Sequence, residues 1–171
     1  MEEEVSLKTL KAGCTGTGFV GPAHVGAERR LGFVGMVALR EANDDLARAK
    51  AAALMIPKSY GSVDALLADK EVEVVHNCTP NHVHFNISKK IIAAGKHVIS
   101  EKPLAMTTQE SKELVALAAK AGVVNAIDFN YRFYPLVQEA KARVESGQFG
   151  DLFHVTGSYT QDWLYLPTDW N

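Results

Sequence analysis

The sequence predicts an α/β protein, a doubly wound parallel sheet followed by the start of a second α/β domain. Three observations carry that prediction. Apolar strand-like runs alternate with helical patterns along most of the chain, as in repeated βα units. The strand runs are continuously apolar, as expected when helices cover both faces of a sheet. Cap residues stand where the helices must begin and end.

In chain order, Leu7 to Thr15 reads as the first strand and leads through a glycine-rich turn into a helix from Val20 to Leu31. Val34 to Leu39 is the second strand, and Asn43 opens a helix from Asp44 to Met55. Ser62 caps a short helix, Val63 to Ala68, ahead of the strand Val72 to Asn77. Asn81 is expected to cap a helix from His82 to Ala94, which Gly95 closes before the strand Lys96 to Ser100. Thr108 is expected to cap the helix Gln109 to Ala121, closed by Gly122, and Val123 to Phe129 completes the parallel set. After Phe129 the pattern changes to a helix from about Tyr134 to Glu145, a Gly147 to Gly150 turn and an alternating strand, Leu152 to Thr160. The chain thus divides into residues 1–128 and a second domain, 129–171. An alternating strand needs partners for its edges, so that second domain is read as truncated, with assembly into a homo-oligomer through the Leu152 to Thr160 edge as one outlet.

The totals bound the function. A chain of 171 residues can bury roughly 70% of its unfolded surface, enough for one main globular unit. A net charge of -2 with dispersed basic residues gives no attraction for nucleic acid or an anionic membrane. The acidic start Met1-Glu2-Glu3-Glu4 and the lack of a long apolar run are read as cytoplasmic. The two cysteines, Cys14 and Cys78, are expected as reduced core thiols.

Gly16-Thr17-Gly18-Phe19-Val20-Gly21 lies between the first strand and the first helix. The first glycine allows a tight turn, the second lets backbone approach a pyrophosphate, and the third permits close helix–strand packing. Backbone N–H groups and the positive helix end then face the phosphates. The dinucleotide pattern calls for an acidic residue about 20 positions on, and Glu41 lies there. A carboxylate accepts both ribose hydroxyl hydrogens and repels a 2′-phosphate, so Glu41 favours NAD. Arg40 beside it keeps NADP open.

Thr79-Pro80-Asn81 follows a strand at the edge where such sheets bind ligands, so it is expected to line the cofactor while Asn81 starts the next helix. His84 is expected to pack under the cofactor. No metal site is expected from His82 and His84, since no third ligand is placed near them. His24, His76, His97 and His154 read as structural. Lys102, between Glu101 and Pro103 and just past a buried strand, is expected to be partly desolvated and to donate to a substrate oxygen.

Together, the glycine turn, Cys78-Thr79-Pro80-Asn81-His82-Val83-His84, Gly95-Lys96-His97-Val98, Glu101-Lys102-Pro103-Leu104-Ala105 and Asn130-Tyr131-Arg132-Phe133 resemble the Gfo/Idh/MocA oxidoreductases. The resemblance implies a Rossmann domain binding NAD or NADP and a second domain with an open antiparallel sheet. It implies that Lys102 touches the reacting hydroxyl, that Glu101 helps to position it, and that Asn130 and Arg132 sit near the nicotinamide and the domain junction. The expected reaction is hydride transfer between the nicotinamide and a sugar, cyclitol or related polyol. An aspartate and a histidine of a later glycine-rich segment would fall beyond Asn171. The alternative is a non-catalytic dinucleotide-binding module, or a subunit completed by a partner chain.

Overall fold

The computed structural model describes residues 8–162 and 166. Two compact units are distinguished, one running to Phe129 and the other beginning at Asn130. The first unit is built from β1 (Leu10–Thr15), α1 (Gly21–Leu31), β2 (Val34–Arg40), α2 (Asp44–Ala53), β3 (Lys58–Tyr60), α3 (Val63–Ala68), β4 (Val74–Asn77), α4 (His84–Ala93), β5 (His97–Ser100), α5 (Thr108–Ala121) and β6 (Asn125–Ile127). Its six strands lie in the order β3-β2-β1-β4-β5-β6, and every neighbouring pair is parallel. The order reverses between β1 and β4, which is where a doubly wound sheet opens a crevice at the carboxyl ends of its strands.

The core explains the unbroken apolar runs. On β4, Val74 packs with Val25, Met36, Leu39, Ala51 and Ile56, whereas its neighbour Val75 packs with Val37, Leu66, Ile87, Ile91 and Leu114. Consecutive side chains of one strand thus enter two separate cores, one on each face. A register shift between Ala12 and Gly13 against β2 is the one irregularity in the β1–β2 ladder.

Most caps follow the sequence pattern: Asn43 accepts from the Leu46 N–H, Ser62 accepts from the Ala65 N–H, and Gly122 closes α5 with a φ of 66°. Others differ. The cap of α5 is Thr107, not Thr108, because Thr107 and Glu110 form a reciprocal capping box. Asn81 does not cap α4. It opens a 3-10 turn, Asn81–Val83, and α4 begins after Val83 without a side-chain cap. β3 was not foreseen, since three residues of intermediate burial at a sheet edge leave no apolar run.

In the second unit, a 3-10 turn (Asn130–Phe133) precedes α6 (Pro135–Glu145), and Gly147 and Gly150 take positive φ values of 74° and 68° in the following turn. The expected strand Leu152 to Thr160 does not form: residues 151–161 have no ladder. An extended segment becomes a strand by pairing, and no described residue of this unit offers it an edge. Tyr131, Tyr134 and Tyr159 form edge-to-face contacts within the unit. Among the described residues no helix is long and apolar enough to cross a membrane.

The glycines of the turn differ sharply in the room around them. A Cβ on Gly21 would lie 2.3 Å from the carbonyl oxygen of Gly16, whereas a Cβ on Gly18 would meet no atom within 4 Å. Gly21→Ala is therefore expected to cost about 2 kcal/mol or more. Its thermal midpoint, followed by circular dichroism, should fall by roughly 4–8 °C. Gly18→Ala should stay within about 2 °C of the parent, and equal shifts for the two would contradict this account of the turn.

Candidate functional site

The candidate site is a rim of segments that lie one residue beyond the strand ends. Backbone bonding continues past each strand: Gly16 N–H to the Arg40 carbonyl, Cys78 N–H to Thr15, Glu101 N–H to Asn77 and Asp128 N–H to Ser100, all at 2.9–3.1 Å. This carries the motif residues of β1, β4, β5 and β6 to one edge of the sheet.

Gly16 has a φ of 83°, and a Cβ there would lie 2.7 Å from the Cys78 carbonyl oxygen and 2.9 Å from the Thr79 Cα. Only glycine fits that left-handed, close-packed position. Gly18 is exposed and Phe19 fully so, with Val20 intermediate at the head of α1. Thr17 is completely buried, and its backbone N–H and hydroxyl both donate to Oε1 of Glu41 at 2.5 Å. The acidic residue beyond β2 thus reaches back to the glycine turn, a contact that the sequence reading did not include. Arg40 has a buried Nε without a partner. The cradle fits a dinucleotide: there is open space beside Gly18, and a carboxylate stands at the end of β2.

Asn77 organises the Thr79-Pro80-Asn81 turn. Fully buried, it donates to the His84 carbonyl and to Ser88 Oγ, while its Oδ1 accepts from the Thr79 hydroxyl at 2.6 Å. Pro80 and Asn81 are exposed on the rim. His84, expected beneath the cofactor, is completely buried, and its ring bridges two loops, with Nδ1 2.6 Å from the Pro103 carbonyl and Nε2 2.6 Å from that of Thr79. Its observed contribution is to hold the Glu101-Lys102-Pro103 segment against the threonine turn. The Lys102–Pro103 peptide is cis.

Lys102 is exposed in this unit, which corrects the expectation of partial desolvation: the chain buries Glu101 and leaves the next side chain on the rim. Glu101 is 8% exposed and its Oε2 accepts the Lys102 N–H at 3.2 Å. Asn130 and Arg132 are exposed in the second unit's 3-10 turn, where the Arg132 carbonyl accepts from the Gln138 amide.

Sequence reasoning missed a polar cluster inside the first unit. His24, read as structural, sets Nε2 3.0 Å from Glu101 Oε1 and 3.3 Å from Asp128 Oδ2, and its Nδ1 3.0 Å from Nδ1 of His76. Burial, then the charge of His24, holds the His76 ring down at about 4. Burial raises the Asp128 carboxyl, as nearby Glu101 does and against the pull of His24. A hydrogen bond with Cys14, and then burial, push the Cys78 thiol up, and both cysteines are free. Ligand-type atoms of His24, Glu101 and Asp128 lie within 4.8 Å of one another, yet both His24 nitrogens already have protein partners. The available signal was a histidine and an asparagine at the end of the wholly buried strand Val74–Asn77, where polar groups must find partners.

The chain is similar to known proteins. The chain is 34% identical over 169 residues to levoglucosan dehydrogenase of Pseudarthrobacter phenanthrenivorans, covering 94% of this chain and 43% of that one. It is 36% identical over 121 residues to D-xylose 1-dehydrogenase (NADP(+)) 2 of Haloferax volcanii, covering 70% of this chain and 37% of the relative. The solved structure of levoglucosan dehydrogenase in complex with NADH and levoglucosan superposes with a TM-score of 0.79 at 34% identity, over 82% of this chain and 40% of that one. The chain thus spans less than half the length of these relatives. Residues 10–129 match the profile of the Gfo/Idh/MocA oxidoreductase family, NAD-binding Rossmann fold, and the chain belongs to that family.

Proposed function

We propose that this chain is the cofactor-binding part of an NAD-dependent dehydrogenase that oxidises or reduces a sugar, cyclitol or related polyol. The observation that carries the reading is the Gly16–Gly21 turn at the sheet's reversal point, with Thr17 joined to Glu41. Relatives named for levoglucosan and D-xylose support the substrate class. A cytoplasmic setting, read from the sequence, belongs to the same proposal.

In this reading Gly16, Gly18 and the backbone of Thr17, Phe19 and Val20 hold the pyrophosphate. Glu41, held to Thr17 through Oε1, accepts the adenosine ribose hydroxyls at its other oxygen, and its charge disfavours a 2′-phosphate beside Arg40. Thr79, Pro80 and Asn81 line the nicotinamide side, with His84 holding their turn in place. Asn130 and Arg132 belong to the cofactor-binding residues in the same reading. When bound, the nicotinamide supplies a hydride acceptor or donor. Lys102 donates to the substrate hydroxyl oxygen and favours its loss of a proton, and Glu101 fixes the Lys102 backbone. A proton positioned in this way contributes about 10²- to 10⁴-fold to turnover.

Titration calorimetry with NADH and NADPH tests cofactor binding on this chain. Saturable binding should favour NADH by about tenfold or more, or about 1.4 kcal/mol. Glu41→Ala should bring the two cofactors near parity, and Gly18→Ala should weaken both. Absence of binding to either would end the reading. With the second domain present, Lys102→Ala should cut kcat by roughly 10²-fold or more while leaving the NADH Kd nearly unchanged. Undiminished turnover would remove Lys102 from the mechanism.

A further inference from the structure

The polar cluster is a line rather than a knot. Glu28 on α1 is 15% exposed at its side chain and sets Oε1 3.5 Å from Nε2 of His76. That ring is 1% exposed, and its Nε2 is buried without a hydrogen-bond partner. The other nitrogen of His76 meets His24 at 3.0 Å, with the rings edge-on at 77°. His24, 8% exposed, reaches Glu101 at 3.0 Å, and Glu101 in turn holds the backbone of Lys102. Such a row of titratable groups is more than packing requires, since His76 and His24 each turn both ring nitrogens toward another titratable group.

We propose that Glu28, His76, His24 and Glu101 form a proton relay through the interior of the Rossmann unit, joining solvent beside α1 to the segment that carries Lys102. Inward, the carboxyl proton of Glu28 passes to Nε2 of His76, the Nδ1 proton of His76 passes to Nδ1 of His24, and the Nε2 proton of His24 passes to Oε1 of Glu101. Three O–H or N–H bonds break and three form. Glu28 ends as a carboxylate, Glu101 as a carboxylic acid, and no electrons move. The reverse order carries a proton outward, the direction needed when an alcohol loses its hydroxyl proton at the rim.

The surroundings suit a relay. Burial raises the Glu28 carboxyl, against the pull of His24, so that Glu28 keeps a proton to give further up the pH scale than a solvated glutamate. His76 stays neutral above about 4, which leaves it one N–H to exchange between its two nitrogens. The other groups facing the line are Asp128 past β6, 3.3 Å from His24, and the thiol of Cys78, whose own neighbour is Cys14. Asp128 shares the inner end with Glu101 and offers a second acceptor for the His24 proton.

Nitrogen-15 spectra of the histidine rings in this chain test the relay without any turnover. As rising pH takes the proton from Glu28, at a pH above that of a solvated glutamate, His24 and His76 should exchange tautomers together. The joint switch should vanish in Glu28→Gln and in Glu28→Met, two non-titrating variants of similar length. Rings that each keep one tautomer across that titration, or that switch equally in both variants, overturn the proposal. Use of the relay in turnover rests on the dehydrogenase reading, whereas the spectra do not. A chain that switches tautomers but binds no nicotinamide cofactor would therefore separate failure of the function from failure of the relay.

Discussion

The close passage of two backbones where β1 meets the end of β4 is the constraint on which the rest of the site depends. At Gly16 the chain leaves the sheet so near Cys78 and Thr79 that no side chain can be accommodated, and Gly21 meets the same limit against Gly16. Because these two glycines hold the turn flat, Thr17 is driven fully inside, where its N–H and hydroxyl need an acceptor. Glu41, delivered by β2 on the adjacent strand, is that acceptor. One steric demand therefore links the phosphate cradle to the residue that would read the ribose. It also leaves Gly18 facing open space.

A second layer of order comes from polar groups held where the strands end. The two apolar cores do the work of hydrophobic burial along most of β4, but His76 and Asn77 at its end are as deeply buried as Val75. Buried polar groups without partners cost on the order of 1–3 kcal/mol each, so their bonding decides the geometry of the rim. Asn77 spends its amide on α4 and its carbonyl on Thr79, and His84 joins the Thr79 and Pro103 carbonyls. Two motif segments far apart in sequence are thus bound through one imidazole. The Rossmann unit thereby fixes the position of the segment that carries Lys102.

The doubly wound fold was legible because periodicity, caps and glycines are local signals, and the glycine turn, Glu41 and the lysine segment sit at spacings that local geometry imposes. The features that were not legible depend on partners. β3 is too short to carry an apolar signature, and Leu152 to Thr160 alternates like a strand but finds no edge to pair with among the described residues of its unit. The choice between Thr107 and Thr108 as cap turned on which hydroxyl could be answered by Glu110. His24, His76, Glu101 and Asp128 come from four separate βα units and meet only because parallel strands end at one edge. No spacing along the chain encodes that meeting.

The most direct test of the central claim, that the glycine turn and the end of β2 form one cofactor-binding unit around Thr17, is residue-resolved amide hydrogen exchange with and without NADH. The account predicts slowed exchange at Thr17 to Val20 together with the backbone after β2 and around Thr79 to Asn81, while α5 is unchanged. Protection spread evenly over the chain, or confined to segments away from Thr17 and Glu41, would contradict it.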